Sequence, residues 1–147
     1  FDNVDISSYI QDLTDTLHAA FGQHAVPIEI KTQIPEINLP VDIAVPCGLM
    51  INEMVTNSLK YAFPDLDKPD KQIIIRFTEY EPDCLRLEVI DNGIGLQKPV
   101  VWDSIHSLGL YLIKILSEHQ LMGSVNLKDT GGAHFIIEFP IHPNFDD

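Results

Sequence analysis

INEMVTNSLKYAFPD, residues 51–65, is composed largely of Met, Val, Leu and Ala, as a buried helix would be. Glu53, Asn57 and Lys60 interrupt it at intervals of four and three. At ~100° per residue, with Glu53 at the origin, Asn57 falls near ~40° and Lys60 near ~−20°. Ile51, Val55 and Ala62 fall at roughly 160–200°. One face is apolar, and the other carries a narrow polar line. An amphipathic surface helix would show the same contrast. Met50 and Tyr61 flank the line, however, and a mid-helix Asn is a poor choice unless its amide has a partner. A magnesium–phosphate site is the functional alternative to that surface helix. Mg²⁺ takes hard oxygen ligands and shares substrate phosphates. Asn57 offers an amide oxygen, Glu53 a carboxylate to hold water, and Lys60 an ammonium for phosphate.

Around this helix the chain alternates patterns. Residues 5–22 place Ile6, Tyr9, Ile10, Leu13, Leu17 and Phe21 at helical spacing, with Asp5 as N-cap and Gly22 as stop. Residues 26–32 alternate like a strand, and PEINLP (35–40) reads as a connector. The central helix runs from about Asp42 to Phe63, with Pro46 in its first turns. Residues 72–80 and 84–91 form a hairpin, and 124–129 with 133–140 a second one around Thr130, Gly131 and Gly132. Between the hairpins lies a glycine-bearing loop from Asn92 to His106. A third helix starts near Ser107, with Leu108, Leu112, Ile115 and Leu116 expected inward. This order predicts an α/β fold: a two-layer sandwich whose mixed, mostly antiparallel sheet carries three main helices on one face.

The 147 residues suit one domain, 1–147. A net charge of −13 argues against a nucleic-acid surface, which needs clustered Lys and Arg. It leaves a nucleotide site open, since one Lys, a metal and helix N-termini suffice there. No apolar run approaches the ~18–20 residues of a membrane span. The chain opens at Phe1 without Met or a signal pattern, so a piece of a longer protein is expected. Cys47 and Cys84, far apart and without a CxxC, are expected as buried thiols of a reducing compartment.

Two further stretches carry chemistry. LEVIDNGIGL (87–96) ends a strand in Asp91 and then turns at Gly93 and Gly95. The third glycine of a dinucleotide fingerprint is absent, as is any GxxxxGK[ST] loop. A strand-end carboxylate beside two residues without Cβ can accept an exocyclic base amine while the base lies against backbone. HSLGLYLIKI (106–115) places Gly109 at a helix start, where unpaired N–H groups suit phosphate.

Taken in order, these motifs resemble the GHKL ATPase superfamily, in particular the catalytic, ATP-binding domain of sensor histidine kinases. INEMVTNSLKYAFPD resembles the N box, DNGIGL the first glycine box, SLGLYLIKIL the second, and TGGAHFIIEFP the closing strand. The spelling NE-x-V-x-N-x-x-KYAFPD resembles the HWE-related branch. The resemblance implies a Bergerat-type fold with ATP and Mg²⁺. Asn57 would bind the metal, Lys60 and Tyr61 would approach phosphates, and Asp91 would take the adenine amine. Glu53 would orient water or metal as a catalytic residue, with Asn57 beside it. Gly93 and Gly95 would shape the base pocket, Leu96 would lie with the ATP contacts, and Ser107, Leu108, Gly109 and Leu110 would meet phosphates. Ser107 stands where the family often has glycine, and Ala133 where it often has threonine.

The implied reaction transfers the γ-phosphoryl group to a histidine on an upstream dimerisation domain, and from there to a response regulator. None of the six histidines sits in a suitable acceptor context, and His106 is the one to watch near phosphate. The isolated domain is expected as a monomer within a homodimeric parent, cytoplasmic whether or not that parent is membrane-anchored. Gln97 to His106 are expected to close over a ligand. A GHKL serine kinase or ATPase, or a nucleotide-binding module without activity, are the alternatives.

Overall fold

A computed structural model describes residues 3–21, 26–65, 67–97, 100 and 107–141. The elements are β1 (Asn3–Asp5), α1 (Ile6–Phe21), β2 (Glu29–Gln33), β3 (Asn38–Pro40), α2 (Val41–Asn57), β4 (Gln72–Glu81), β5 (Cys84–Asp91), α3 (Leu108–Ile115), β6 (Ser124–Asp129) and β7 (Ala133–Pro140). α2 and α3 each continue into a five-residue π turn, Ser58–Ala62 and Leu116–Gln120.

Five strands form a sheet in the order β2-β4-β5-β7-β6. β2 runs parallel to β4, and the other pairs are antiparallel. Alternation along the strands separates two faces. Ile73, Ile75 and Phe77 of β4, Leu85, Leu87 and Val89 of β5, and Phe135, Ile137 and Phe139 of β7 are buried in one core. Ile6, Ile10 and Leu17 of α1, Met50, Ile51, Met54 and Val55 of α2, and Ile113 of α3 join that core. The other face carries charge. Glu88 meets His134 at 2.7 Å and Arg76 at 3.6 Å, and Arg86 meets Glu138 at 2.6 Å. One apolar and one polar face is what an antiparallel sheet with helices on a single side requires.

The alternation has a consequence for chemistry. Asp91 follows Leu85, Leu87 and Val89 at the same two-residue step, so its carboxylate enters the helix-facing layer and is 5% exposed.

Three local expectations are corrected. The connector 35–40 contains β3, which pairs antiparallel with β1. Since β1 leads into α1 and β3 into α2, this small sheet starts both helices side by side, and the Ile6 amide donates to the Ile37 carbonyl. A Cβ at Gly48 would collide with the Tyr9 ring, so this glycine lets α1 lie close on α2. The inner face of α3 and its π turn is set by buried Ile113 and Ser117, with half-buried Leu116 packed on the core as expected, whereas Leu108 is 82% exposed. LGLYLIKIL is apolar nearly all round and gives no phase to read. Cys47 is buried as expected, but Cys84 is half-buried, because Leu85 claims the inward position of that strand. The expectations for His106 and for most of the 97–106 segment lie outside the described residues.

Candidate nucleotide-binding site

Glu53 and Asn57 are half-buried on the polar line of α2, while Lys60 and Tyr61 are exposed. The π turn after Asn57 turns Ser58 inward, where it is 4% exposed. Such wide turns recur at functional sites because they re-aim side chains at a helix end. The Ser58 hydroxyl donates to Asp91 Oδ2 at 2.7 Å. At the end of the same turn the Ala62 carbonyl accepts the Ile94 amide at 2.9 Å. A Cβ at Gly93 would overlap Ala62, so the glycine is required by close approach.

Asp91 binds its own loop as well. Its Oδ1 accepts from the Gly93 amide at 2.9 Å and from the Ala133 amide at 3.1 Å. Neighbouring Asn92 is scaffold: its side-chain oxygen accepts from the Gln72 amide at 2.8 Å and its NH₂ donates to the Asp70 carbonyl. An ionised carboxylate has about four acceptor directions. Ser58, Gly93 and Ala133 account for three, which leaves one on Oδ2 for a further donor.

Asp91 lines a cavity of about 330 Å³, the size range of small-ligand sites. Its walls are drawn from Asn57, Ser58 and Tyr61 of the α2 end, from Ile94, Gly95, Leu96 and Gln97, and from Ser107 and Leu110. Leu127, Ala133 and Phe135 of the last hairpin complete it. A buried carboxylate in a mostly apolar slot suits a flat heterocycle with an exocyclic amine.

Of the residues expected from sequence, the structure brings Asn57, Tyr61, Asp91, Gly95, Leu96, Ser107 and Leu110 to one cavity. Gly93 stands just outside, packed on Ala62. Lys60, Leu108 and Gly109 are not in the wall, and neither is Glu53. Glu53 belongs to an adjoining feature: a Cβ at position 109 would lie 2.7 Å from its Oε2, so the carboxylate rests against the first turn of α3. Ser107 caps that helix, accepting from the Leu110 amide at 3.4 Å. The serine that departs from the glycine pattern therefore serves the helix start. Ala133 contributes its backbone amide to Asp91, which needs no hydroxyl.

Sequence reasoning missed Ser58 and Asp129. Ser58 sits in the polar run Thr56-Asn57-Ser58, where nothing local marks it for an inward bond. The Asp129 carboxylate accepts from the amides of Leu96 at 3.1 Å, Gly131 at 3.2 Å and Gly132 at 3.3 Å. These bonds, the Leu96 one first, hold its pKa below the ordinary carboxylate value. Among the described residues no three His, Cys, Asp or Glu side chains gather as a metal cage. No described helix is long and apolar enough to cross a membrane.

The family described as "Histidine kinase-, DNA gyrase B-, and HSP90-like ATPase" matches residues 43–143, which contain every motif just described. The chain belongs to that family. It is 25% identical over 138 residues to the blue-light-activated histidine kinase 2 of Erythrobacter litoralis, covering 94% of this chain and 38% of that protein. It is 29% identical over 105 residues to the sensor histidine kinase PdtaS of Mycobacterium tuberculosis, covering 70% of this chain and 21% of the relative. The chain thus spans well under half the length of these relatives. The histidine kinase domain of the Erythrobacter litoralis EL346 blue-light activated kinase superposes with a TM-score of 0.80 at 24% identity, covering 94% of this chain and 62% of that one. The mycobacterial sensor histidine kinase MprB superposes at 0.74 with 18% identity, covering 97% and 99%. The two-layer α/β architecture is that of histidine kinase catalytic domains.

Proposed function

We propose that residues 1–147 form the ATP-binding catalytic domain of a sensor histidine kinase, which donates the γ-phosphoryl group to a histidine on an upstream dimerisation domain. The observation that carries this reading is Asp91: a buried carboxylate, three of its acceptor directions filled by protein, beside a mostly apolar cavity. The adenine amine is the donor that fits the fourth. Gly95 and Leu96 lie along the base, and Phe135 and Leu127 exclude water from it.

The residues at the other end fit Mg²⁺. Asn57 and Glu53 offer an amide oxygen and a carboxylate one helical turn apart, hard donors few enough to leave room for waters and phosphate oxygens. Bound there, the metal would neutralise charge developing on the transferred group. Asn57 would hold it, and Glu53 would orient a water or the metal shell. Lys60 and Tyr61, exposed on the same helix end, would approach phosphates, and the first-turn amides at Leu108 and Gly109 lack intrahelical partners and can donate to them. The domain's work is positioning and electrostatics.

The spelling of residues 52–65 supports the HWE-related branch. The parent would be a homodimer acting in the cytoplasm with a response regulator as the next acceptor, and this domain alone a monomer. None of the described histidines, His18, His119 and His134, lines the cavity beside Asp91, and His134 is bound to Glu88.

Incubation with labelled ATP tests the reading. Alone, the domain should bind ATP but take up little label, because only one reactant is positioned. Adding the native acceptor domain should give acid-labile phosphohistidine on that domain. Acid-stable phosphoserine on a partner would turn the assignment to a GHKL serine kinase, and absence of nucleotide binding with and without Mg²⁺ would reject it.

A further inference from the structure

Asp91 and Asp129 hold the same two chain segments from different sides. Asp91 takes the amides of Gly93 and Ala133. Asp129, at the end of β6, takes those of Leu96, Gly131 and Gly132. Residues 93–96 and the 130–133 turn are therefore joined twice, once by a buried carboxylate and once by an exposed one. Gly95 belongs to the same joint: its φ is +78°, and a Cβ there would overlap the Asp129 carboxylate. Gly132 closes the inner side, since a Cβ on it would meet the Asp91 carbonyl.

A hairpin turn capped by its own Asp would need only the bonds to Gly131 and Gly132. The bond to Leu96 is different. It crosses 33 residues and adds nothing to the turn, yet it fixes the segment that lines the cavity from Ile94 to Gln97. Asp129 itself does not line that cavity. We infer that Asp129 is a positioning residue for the bound nucleotide: it latches the wall that follows Gly95 to the β6–β7 turn, and so sets the width of the slot beside Asp91. This role rests on the adenine-binding reading of the slot. The lowered pKa of Asp129 agrees with a carboxylate whose charge is used by these three amides.

Asp129→Asn separates the latch from the turn. One amide oxygen can still cap Gly131 and Gly132, but the NH₂ group that then faces Leu96 cannot accept its N–H. Titration of parent and variant with ATP and with adenosine, together with exchange of the Leu96 amide followed by NMR, gives the test. The expected result is an affinity loss of about two- to twelvefold, the range for one ordinary net hydrogen bond at an exposed site. The loss should be equal for ATP and adenosine because the latch lies at the base end. Leu96 should exchange faster in the variant while the amides of Val89 and Phe135 do not change. Thermal unfolding of the same samples identifies a purely structural effect, which would lower the midpoint and leave the affinity of the folded protein as in the parent. Parental affinity in Asp129→Asn overturns the role alone. A parent that binds neither ATP nor adenosine overturns the functional reading, and this role with it.

Discussion

Ser58 Oγ donates to Asp91 Oδ2 across 2.7 Å, joining the π turn after α2 to the last residue of β5. The two residues are 4% and 5% exposed. A buried carboxylate held this way keeps its orientation before any ligand arrives. Ser58→Ala removes that donor without adding bulk. It should lower stability by roughly 1–3 kcal/mol, the cost of leaving a buried acceptor short of a partner. Nucleotide affinity should fall with it. Thermal unfolding with and without ATP checks both, and an unchanged midpoint would show that the hydroxyl does not hold Asp91.

Asp91→Asn exchanges a pure acceptor for a group with one oxygen and one NH₂. It cannot satisfy Ser58, Gly93, Ala133 and a base amine together. Adenine nucleotides should bind more weakly by roughly 1–3 kcal/mol. Calorimetric titration with ATP and GTP reads this directly. Equal affinity of the parent protein for the two nucleotides would defeat the adenine assignment.

Asn57→Ala should abolish Mg²⁺-dependent phosphoryl transfer to the acceptor domain while the fold persists. Asn57 is half-buried at the cavity, and Ala favours a helix interior over Asn by up to ~0.7 kcal/mol, so the unfolding midpoint should hold or rise. Transfer at near the parental rate would show that Asn57 is not the metal ligand.

The two thiols should differ sharply. Burial pushes the Cys47 thiol far above its ordinary range, whereas Cys84 is half-exposed at the start of β5. The reactive form is the thiolate, and it must be reached. A disulfide reagent at pH 8 should therefore modify Cys84 in the native protein and Cys47 only after denaturant is added. Rapid native labelling of Cys47 would contradict the packing of α2.

Acid should release the Asp129 latch late. Its folded pKa is lowered by the amides of Leu96, Gly131 and Gly132. A depressed carboxyl pKa contributes stability that is present above the unfolded value of about 3.9 and is lost as pH falls through the folded one. Parent and Asp129→Asn should therefore keep a constant difference in midpoint from pH 8 to 5. That difference should shrink below about pH 4. A difference that vanishes already at pH 6 would mean that the carboxylate is not held by these bonds.

Much of this was legible in the chain. The two-residue alternation of 72–80, 84–91, 124–129 and 133–140 gave hairpins whose strands agree closely with the structure. The polar line on α2 and the Asp91 turn are local patterns, and local patterns survive in one dimension. The Gly-x-Gly after Asp91 was visible too, although its reason was not: one glycine is pressed on Ala62 and the other on Asp129.

Sequence by itself therefore determined the layers, the family and the polar line along α2, because each depends on periodicity or on a short contiguous motif. Tertiary structure alone decided the β1–β3 pairing, the inward phase of α3, the exposure of Cys84, and the partners of the two carboxylates. Ser58 meets Asp91 across 33 residues and Leu96 meets Asp129 across another 33. A hydrogen bond of that kind leaves no periodic trace: it exists only once the sheet has brought the end of α2, the end of β5 and the last hairpin to one edge of the core.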